Sequence, residues 1–146
     1  MPLALAARAE KEPLKVTLIT GASLGEGVDA TLANADVLAR RLPFQVDPVL
    51  RKKINEGGVM FVDQHLSETV ELLRSGQMGP IDIAVVEAAS ITEEGYIVPT
   101  TSVGNSATFA ILAKQVIVEI NLAHTADMEG IHDIYIPTRR PTRAPI

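Results

Sequence analysis

Two short β-branched runs constrain the fold of this chain more than any other feature. Residues 81–87 read Ile-Asp-Ile-Ala-Val-Val-Glu, and residues 115–120 read Gln-Val-Ile-Val-Glu-Ile. Runs that are apolar at nearly every position are typical of strands buried on both faces in a parallel sheet covered by helices. The polar loop of residues 100–106 lies between them, and ligands bind outside the carboxyl ends of strands in open α/β sheets. This loop is therefore a candidate ligand site.

Length and composition favour a single globular domain. The chain has 146 residues, of which 47% are apolar and only 3% aromatic, so the core must be built from aliphatic side chains. No apolar run approaches the roughly 20 residues of a membrane-spanning helix, and residues 1–8 lack a signal-peptide pattern. The net charge of −5 argues against a nucleic-acid-binding face. Since cysteine is also absent, we expect a cytoplasmic domain without a nucleic-acid or membrane partner.

The first half of the chain has the pattern of a βαβ unit. The apolar run of residues 15–20 predicts a strand, and a glycine-rich turn follows at 21–27. The spacing of its glycines matches neither the dinucleotide fingerprint nor the P-loop, so a tight turn is favoured over a phosphate site. The next helix is predicted from one apolar stripe made of Val28, Leu32, Ala35 and Leu38.

The second half adds the two buried strands, a turn and an irregular end. Alternating residues around Glu94 and Gly95 predict a small β-turn insertion near 91–99. A last short strand is predicted at 131–137, and the Pro/Arg-rich residues 138–146 are predicted to be a linker. The chain is thus expected to form one α/β domain over residues 1–137, with an open, mostly parallel sheet and helices on both faces.

Glutamates and histidines supply the candidate residues for chemistry. Glu87 and Glu119 lie near the ends of the two buried strands, where a carboxylate pair can divide the roles of acid and base. Each can instead accept hydrogen bonds from the backbone N–H groups of a neighbouring loop. His65 follows a predicted strand at 59–62, where a ligand-binding role and a helix-capping role are both open. The His, Asp and Glu residues between 124 and 133 match no metal-binding spacing, so no metal site is predicted.

Four sequence segments are more specific than these patterns. They read Val-Thr-Leu-Ile-Thr-Gly-Ala-Ser at 16–23, Phe-Val-Asp-Gln-His-Leu-Ser at 61–67, Ser-Val-Gly-Asn-Ser at 102–106 and Gly-Ile-His-Asp-Ile-Tyr at 130–135. Together they resemble the acetyl-CoA hydrolase/transferase family, which includes succinyl-CoA:acetate and 4-hydroxybutyrate CoA-transferases. The resemblance covers essentially the whole chain, and it implies the N-terminal α/β domain of a CoA-transferase.

The resemblance implies that the chain is a fragment of an enzyme that moves CoA from acetyl-CoA or succinyl-CoA to a carboxylic acid, or hydrolyses acyl-CoA. Such enzymes have a second α/β domain, and its glutamate forms acyl-anhydride and glutamyl-CoA thioester intermediates. Neither Glu87 nor Glu119 matches that glutamate, and the family's Gly-x-Pro-Lys-type segment would precede Met1. We therefore expect the chain alone to be inactive. CoA is expected as a substrate, with no permanently bound cofactor, and the intact protein is expected to be a homodimer.

The resemblance also implies which residues of this chain contribute to a pocket for the acyl group or CoA. They are Gly104, Asn105, Ser106, Gln64 and His65. Asn and Ser side chains can donate hydrogen bonds to an acyl carbonyl or carboxylate, and Gly104 permits a close approach of the backbone. The same residues can instead shape a domain interface. No catalytic residue is predicted within the chain.

Two other classes of function remain open at this point. One is a stand-alone module that binds a small ligand on the same kind of sheet. The other is a relative of sugar-phosphate isomerases that uses Glu87 and Glu119, because fold analogy alone does not fix function. An isomerase requires an acid and a base within this chain. The uncapped first helix and the Pro/Arg-rich tail argue against a separate small binding protein.

Overall fold

The computed structural model describes residues 1–23 and 27–134. The chain divides into two compact units, with the boundary after Leu72. The elements of the described residues are α1 (Pro2–Ala9), β1 (Val16–Ile19), α2 (Asp29–Asn34), β2 (Leu38–Leu42), α3 (Pro48–Asn55), β3 (Met60–Phe61), α4 (Leu66–Arg74), β4 (Ile81–Ile91), β5 (Ile97–Pro99), α5 (Ser106–Leu112), β6 (Ala113–Ile120) and a 3-10 helix, Ala126–Met128.

The first unit is built on a parallel sheet in the order β1-β2-β3. Because the strands are parallel, their carboxyl ends lie at one edge of the sheet. Backbone hydrogen bonds continue past the strand ends, since Thr20 N donates to Leu42 O at 3.2 Å and Gln64 N donates to Pro43 O at 3.4 Å. The loops that follow the three strands are therefore tied together at this edge, which we call the carboxyl edge of the first unit.

Aliphatic side chains from α2, β2 and α3, and from the residues just before β2 and β3, form the core of the first unit. The buried members are Leu32, Ala33, Val37, Leu38, Leu50 and Val59. At the start of α3, Asp47 Oδ1 accepts hydrogen bonds from Val49 N and Leu50 N, both at 2.9 Å. Asp47 thus satisfies two of the backbone donors that every helix start leaves without partners.

A buried ion pair links α2 to β2. Arg41 and Asp29 are only 0% and 1% exposed. Arg41 Nε donates to Asp29 Oδ1 at 2.8 Å, and Arg41 Nη2 donates to Asp29 Oδ2 at 3.1 Å. The remaining nitrogen, Nη1, donates to Leu42 O at 2.6 Å. This two-pronged geometry directs guanidinium donors at both carboxylate oxygens, so neither charge is buried without a partner.

The predicted helical stripe that ends at Leu38 is wrong. The helix stops at Asn34, and Asp36 adopts a positive φ of 55°, which Asp tolerates better than most residues. Leu38 then begins β2, where pairing with β1 satisfies the backbone groups that a longer helix would have satisfied. The Lys15 ammonium donates to Asp36 Oδ1 at 2.7 Å, and this contact holds the pKa of the Asp36 carboxyl below its ordinary value of 3.8.

The second unit contains a mixed sheet in the order β5-β4-β6. The pairing of β4 with β6 is parallel from Ile81↔Ala113 to Ala88↔Ile120, whereas β5 pairs antiparallel with the end of β4. Gly95 has a φ of +88° and donates from its N–H to Thr92 O at 3.0 Å. The predicted β-turn insertion near 91–99 is therefore confirmed.

The α/β class with open, mostly parallel sheets is confirmed. Three of the four strand pairings in residues 1–23 and 27–134 are parallel, and the strands are divided between two sheets. The expected burial of both faces of β4 is wrong, because Ile83 and Val85 are 53% and 40% exposed. No helix within the described ranges is long and apolar enough to cross a membrane.

The predicted domain limits stay a prediction. Residues 131–134 form no helix or strand, and the rest of the predicted last strand lies outside the described residues. The predicted linker at 138–146 also lies outside them.

Candidate functional site

Gln64 and His65 follow β3 by three and four positions, at the carboxyl edge of the first unit. The half-buried Gln64 uses its Nε2 to donate to Oγ1 of the fully buried Thr69, at 2.9 Å. His65 is exposed, and its Nδ1 accepts from Ser67 N at 3.4 Å and lies 2.7 Å from Ser67 Oγ. With these contacts, the His65 side chain caps the start of α4. The position of both residues at a strand end is as expected, and their contribution to a pocket stays a prediction.

Gln45 is a residue of the same edge that the sequence reasoning did not identify. It follows β2 by three positions, and its Oε1 is buried without a hydrogen-bond partner among the described residues. A buried acceptor that lacks a donor costs about 1–3 kcal/mol, so such atoms are rare in native proteins unless a ligand or water supplies the donor. No pattern in the surrounding Pro-Phe-Gln-Val sequence indicates that this amide is buried.

The loop that precedes α5 carries the other three predicted residues, all in the second unit. Gly104 has a φ of +45°, in the left-handed region that favours glycine. Ser106 N donates to Val103 O at 2.9 Å, which closes the turn, and Phe109 N donates to Asn105 O at 3.1 Å. Asn105 occupies the position before the helix, yet its side chain makes no capping hydrogen bond. The glycine is thus required by the turn, and the Asn105 side chain is not used to start the helix.

Glu87 and Glu119 are direct partners in the parallel pairing of β4 with β6. They therefore occupy the same face of the sheet, at the usual strand spacing of about 4.8 Å between Cα atoms. Glu87 Oε1 accepts a hydrogen bond from Thr100 Oγ1 at 2.8 Å and another from Asn121 Nδ2 at 3.2 Å. Glu87 therefore accepts hydrogen bonds from two neighbouring loops, but from side chains and not from the backbone N–H groups that were expected.

Each unit contains its own group of predicted pocket residues. Gln64 adjoins His65 in the first unit, and Gly104, Asn105 and Ser106 are consecutive in the second. An open depression of about 430 Å³ in the first unit contains none of them; it is lined by Asn34, Pro48, Val49, Lys52, Lys53 and Glu56. Because Lys52 already pairs with Glu56 at 3.9 Å and this lining holds no unpartnered buried polar atom, the strand-end loops are the better candidates. Within the described ranges, no three His, Asp or Glu side chains are grouped to hold a metal ion.

Comparison with known sequences gives a match over nearly the whole chain. Residues 2–143 match the sequence model of the acetyl-CoA hydrolase/transferase N-terminal domain. The chain is 45% identical over 136 residues to the succinyl-CoA:acetate CoA-transferase of Clostridium kluyveri, with 93% of this chain and 25% of that protein covered. It is also 40% identical over 148 residues to the propanoyl-CoA:succinate CoA transferase of Escherichia coli, with 98% of this chain and 30% of that protein covered.

Proteins named as hydrolases show a similar likeness. The acetyl-CoA hydrolase of Saccharomyces cerevisiae is 38% identical over 139 residues, which cover 90% of this chain and 26% of the yeast protein. The chain thus spans between a quarter and three tenths of the length of these three relatives.

Proposed function

The chain belongs to the acetyl-CoA hydrolase/transferase family, through that family's N-terminal domain, and from this premise we propose that it is part of an enzyme acting on acyl-CoA. The longer enzyme moves CoA from acetyl-CoA or succinyl-CoA to a small carboxylic acid, or hydrolyses the thioester. The observation that carries the proposal is the match over residues 2–143, together with 45% identity to a CoA-transferase. In this proposal, CoA is a substrate of the longer enzyme. A homodimer and a cytoplasmic location stay predictions.

The proposed role of this chain is to bind and orient the acyl-CoA substrate. Covalent transfer requires a carboxylate that attacks the thioester carbonyl and releases the CoA thiolate, and the resemblance implies that a second domain supplies it. Ile83 and Val85 are exposed apolar residues on β4, a strand whose composition is typical of burial on both faces. Their exposure supports the proposal of a further layer of protein on that side of the sheet. The chain covers only 25% of the length of the Clostridium kluyveri relative, which supports the same proposal.

Each unit has one strand-end region whose residues we propose as substrate contacts. In the second unit, Gly104 allows close approach, and Asn105 and Ser106 can donate hydrogen bonds to the acyl carbonyl or carboxylate. In the first unit, Gln64 and His65 lie at the carboxyl edge together with Gln45, whose buried Oε1 needs a donor. The pantetheine arm of CoA contains amide N–H groups, which are donors of the required kind.

The isolated 146-residue chain is expected to be inactive, because the attacking carboxylate lies outside it. Incubation with acetyl-CoA and succinate should yield no succinyl-CoA above a buffer blank, as measured by mass spectrometry. The Clostridium kluyveri relative, assayed with succinyl-CoA and acetate, serves as the positive control. Succinyl-CoA above the blank would show that the catalytic group lies within these residues. It would contradict the proposal that a second domain supplies the attacking carboxylate.

A Gln45→Met substitution is expected to stabilise the chain. Methionine is similar in length but has no strong acceptor, so it removes the cost of the unpartnered buried oxygen and should raise the free energy of unfolding by about 1 kcal/mol. Urea unfolding followed by circular dichroism measures the change. Gln64→Met is the matched control, because it deletes the hydrogen bond to Thr69 and should lower stability by about 1 kcal/mol instead.

A gain in stability from removing a polar side chain is the signature of a position kept for function. If Gln45→Met lowered stability as much as Gln64→Met does, the Gln45 amide would be a structural group with a partner. The proposed place of Gln45 in the substrate site would then be wrong.

A further inference from the structure

Glu87 connects two loops of the second unit through a single carboxylate oxygen. Its Oε1 accepts from Thr100 Oγ1, just after β5, and from Asn121 Nδ2, just after β6. Thr100 is fully buried, so its hydroxyl depends on protein partners. Glu87 lies on the central strand of this sheet, between the strands that carry the two loops.

Each donor to Glu87 in turn holds the backbone of its own loop. Thr100 Oγ1 accepts a hydrogen bond from Ser102 N at 3.2 Å. Asn121 Oδ1 accepts one from Ala123 N at 3.0 Å, while Asn121 N donates to Ala88 O at 2.8 Å. The carboxylate therefore fixes the rotamers of two side chains that shape the two loops, and the first loop leads directly into Gly104, Asn105 and Ser106.

We propose that Glu87 is a positioning residue, which sets the orientation of the residue 100–106 loop and of the loop after β6. The carboxylate acts as a shared acceptor, not as an acid or a base, and it acts on a substrate only through the loops. The identification of the first loop as a substrate loop rests on the proposed function. The hydrogen-bond network that Glu87 organises is independent of it.

Amide hydrogen exchange of the 146-residue chain, measured by NMR without any ligand, tests the proposal. Glu87→Leu removes the acceptor and should accelerate exchange at Ser102 N–H and Ala123 N–H by at least about tenfold, since hydrogen bonds to charged groups are among the stronger ones. Glu87→Gln keeps an oxygen at the same place. It should restore both amides to within about threefold of the parent, because an amide oxygen can accept both hydrogen bonds.

Two further variants separate positioning from general stability. Thr100→Val should accelerate exchange at Ser102 but leave Ala123 unchanged, because only the first loop is bonded through the Thr100 hydroxyl. Glu93→Leu changes an exposed glutamate in the turn between β4 and β5 and should alter neither amide.

Three results would overturn the proposal. They are unchanged exchange at both amides in Glu87→Leu, an equal acceleration of all amides in the chain, and a Glu87→Gln variant that behaves like Glu87→Leu. The measurement needs no substrate. If a longer enzyme that contains this chain failed to transfer CoA, that result would contradict the proposed function and leave this test unaffected.

Discussion

Arg41→Met should lower the free energy of unfolding by about 3–5 kcal/mol, a large effect for one substitution in this chain. The Asp29 carboxylate would remain fully buried and lose both of its charge-assisted hydrogen bonds. Since whole domains are stable by only about 5–15 kcal/mol, this loss is a large share of the total. Urea unfolding followed by circular dichroism measures it.

The double variant Asp29→Leu/Arg41→Met should recover part of that loss, because it leaves no buried charge without a partner. Lys114→Met is the matched control for an exposed pair. It breaks the contact between Lys114 Nζ and Asp82 Oδ1, where the two side chains are 67% and 72% exposed, and should cost about 0.2–1 kcal/mol. A loss in Arg41→Met no larger than in Lys114→Met would show that the buried pair does not hold α2 against β2.

The same ion pair explains why β2 could not be found from the sequence. The strand reads Leu-Ala-Arg-Arg-Leu, and two consecutive arginines interrupt the apolar pattern by which strands are recognised. Arg41 is tolerated in the core only because Asp29, twelve positions earlier, is buried opposite it. Such a pairing depends on the tertiary fold, whereas the local spacing of Leu32, Ala35 and Leu38 satisfied a helical period.

The elements that local chemistry determines were predictable. Asp47 and Pro48 start α3 as their side chains require, and Gly95 forms the turn between β4 and β5. The strands around 81–87 and 115–120 were found from their β-branched residues, although the exposure of Ile83 and Val85 was not, because it depends on what covers the sheet. The burial of the Gln45 oxygen could not be predicted from the sequence either, since it depends on the packing of the folded chain.

The candidate site could be predicted in position but not in contacts. Strand-end placement of Gln64 and His65, and the Gly104 turn, follow from the sequence patterns and the family resemblance. The hydrogen bonds from Thr100 and Asn121 to Glu87 bring together residues 13 and 34 positions away along the chain. No sequence period links such residues, so the role of Glu87 became apparent only from the register of β4 with its neighbours.

Restoration of CoA transfer in a chimera is the second large effect that we expect. The part of this chain that aligns with the succinyl-CoA:acetate CoA-transferase of Clostridium kluyveri, over 136 residues, would replace the corresponding segment of that enzyme. Enzymes accelerate reactions by at least about 10⁶-fold, and an imperfect interface that cost about 4 kcal/mol would reduce the rate by only about 10³-fold. Transfer should therefore stay well above the uncatalysed rate, even at 45% identity.

The decisive measurement is the rate at which this chimera forms acetyl-CoA from succinyl-CoA and acetate, with the unmodified relative as the positive control. We predict acetyl-CoA formation by the chimera and none above a buffer blank by the 146-residue chain alone. A chimera that matches the relative in circular dichroism and in elution volume on gel filtration, yet forms no acetyl-CoA, would contradict the claim that this chain serves as the N-terminal domain of a CoA-transferase.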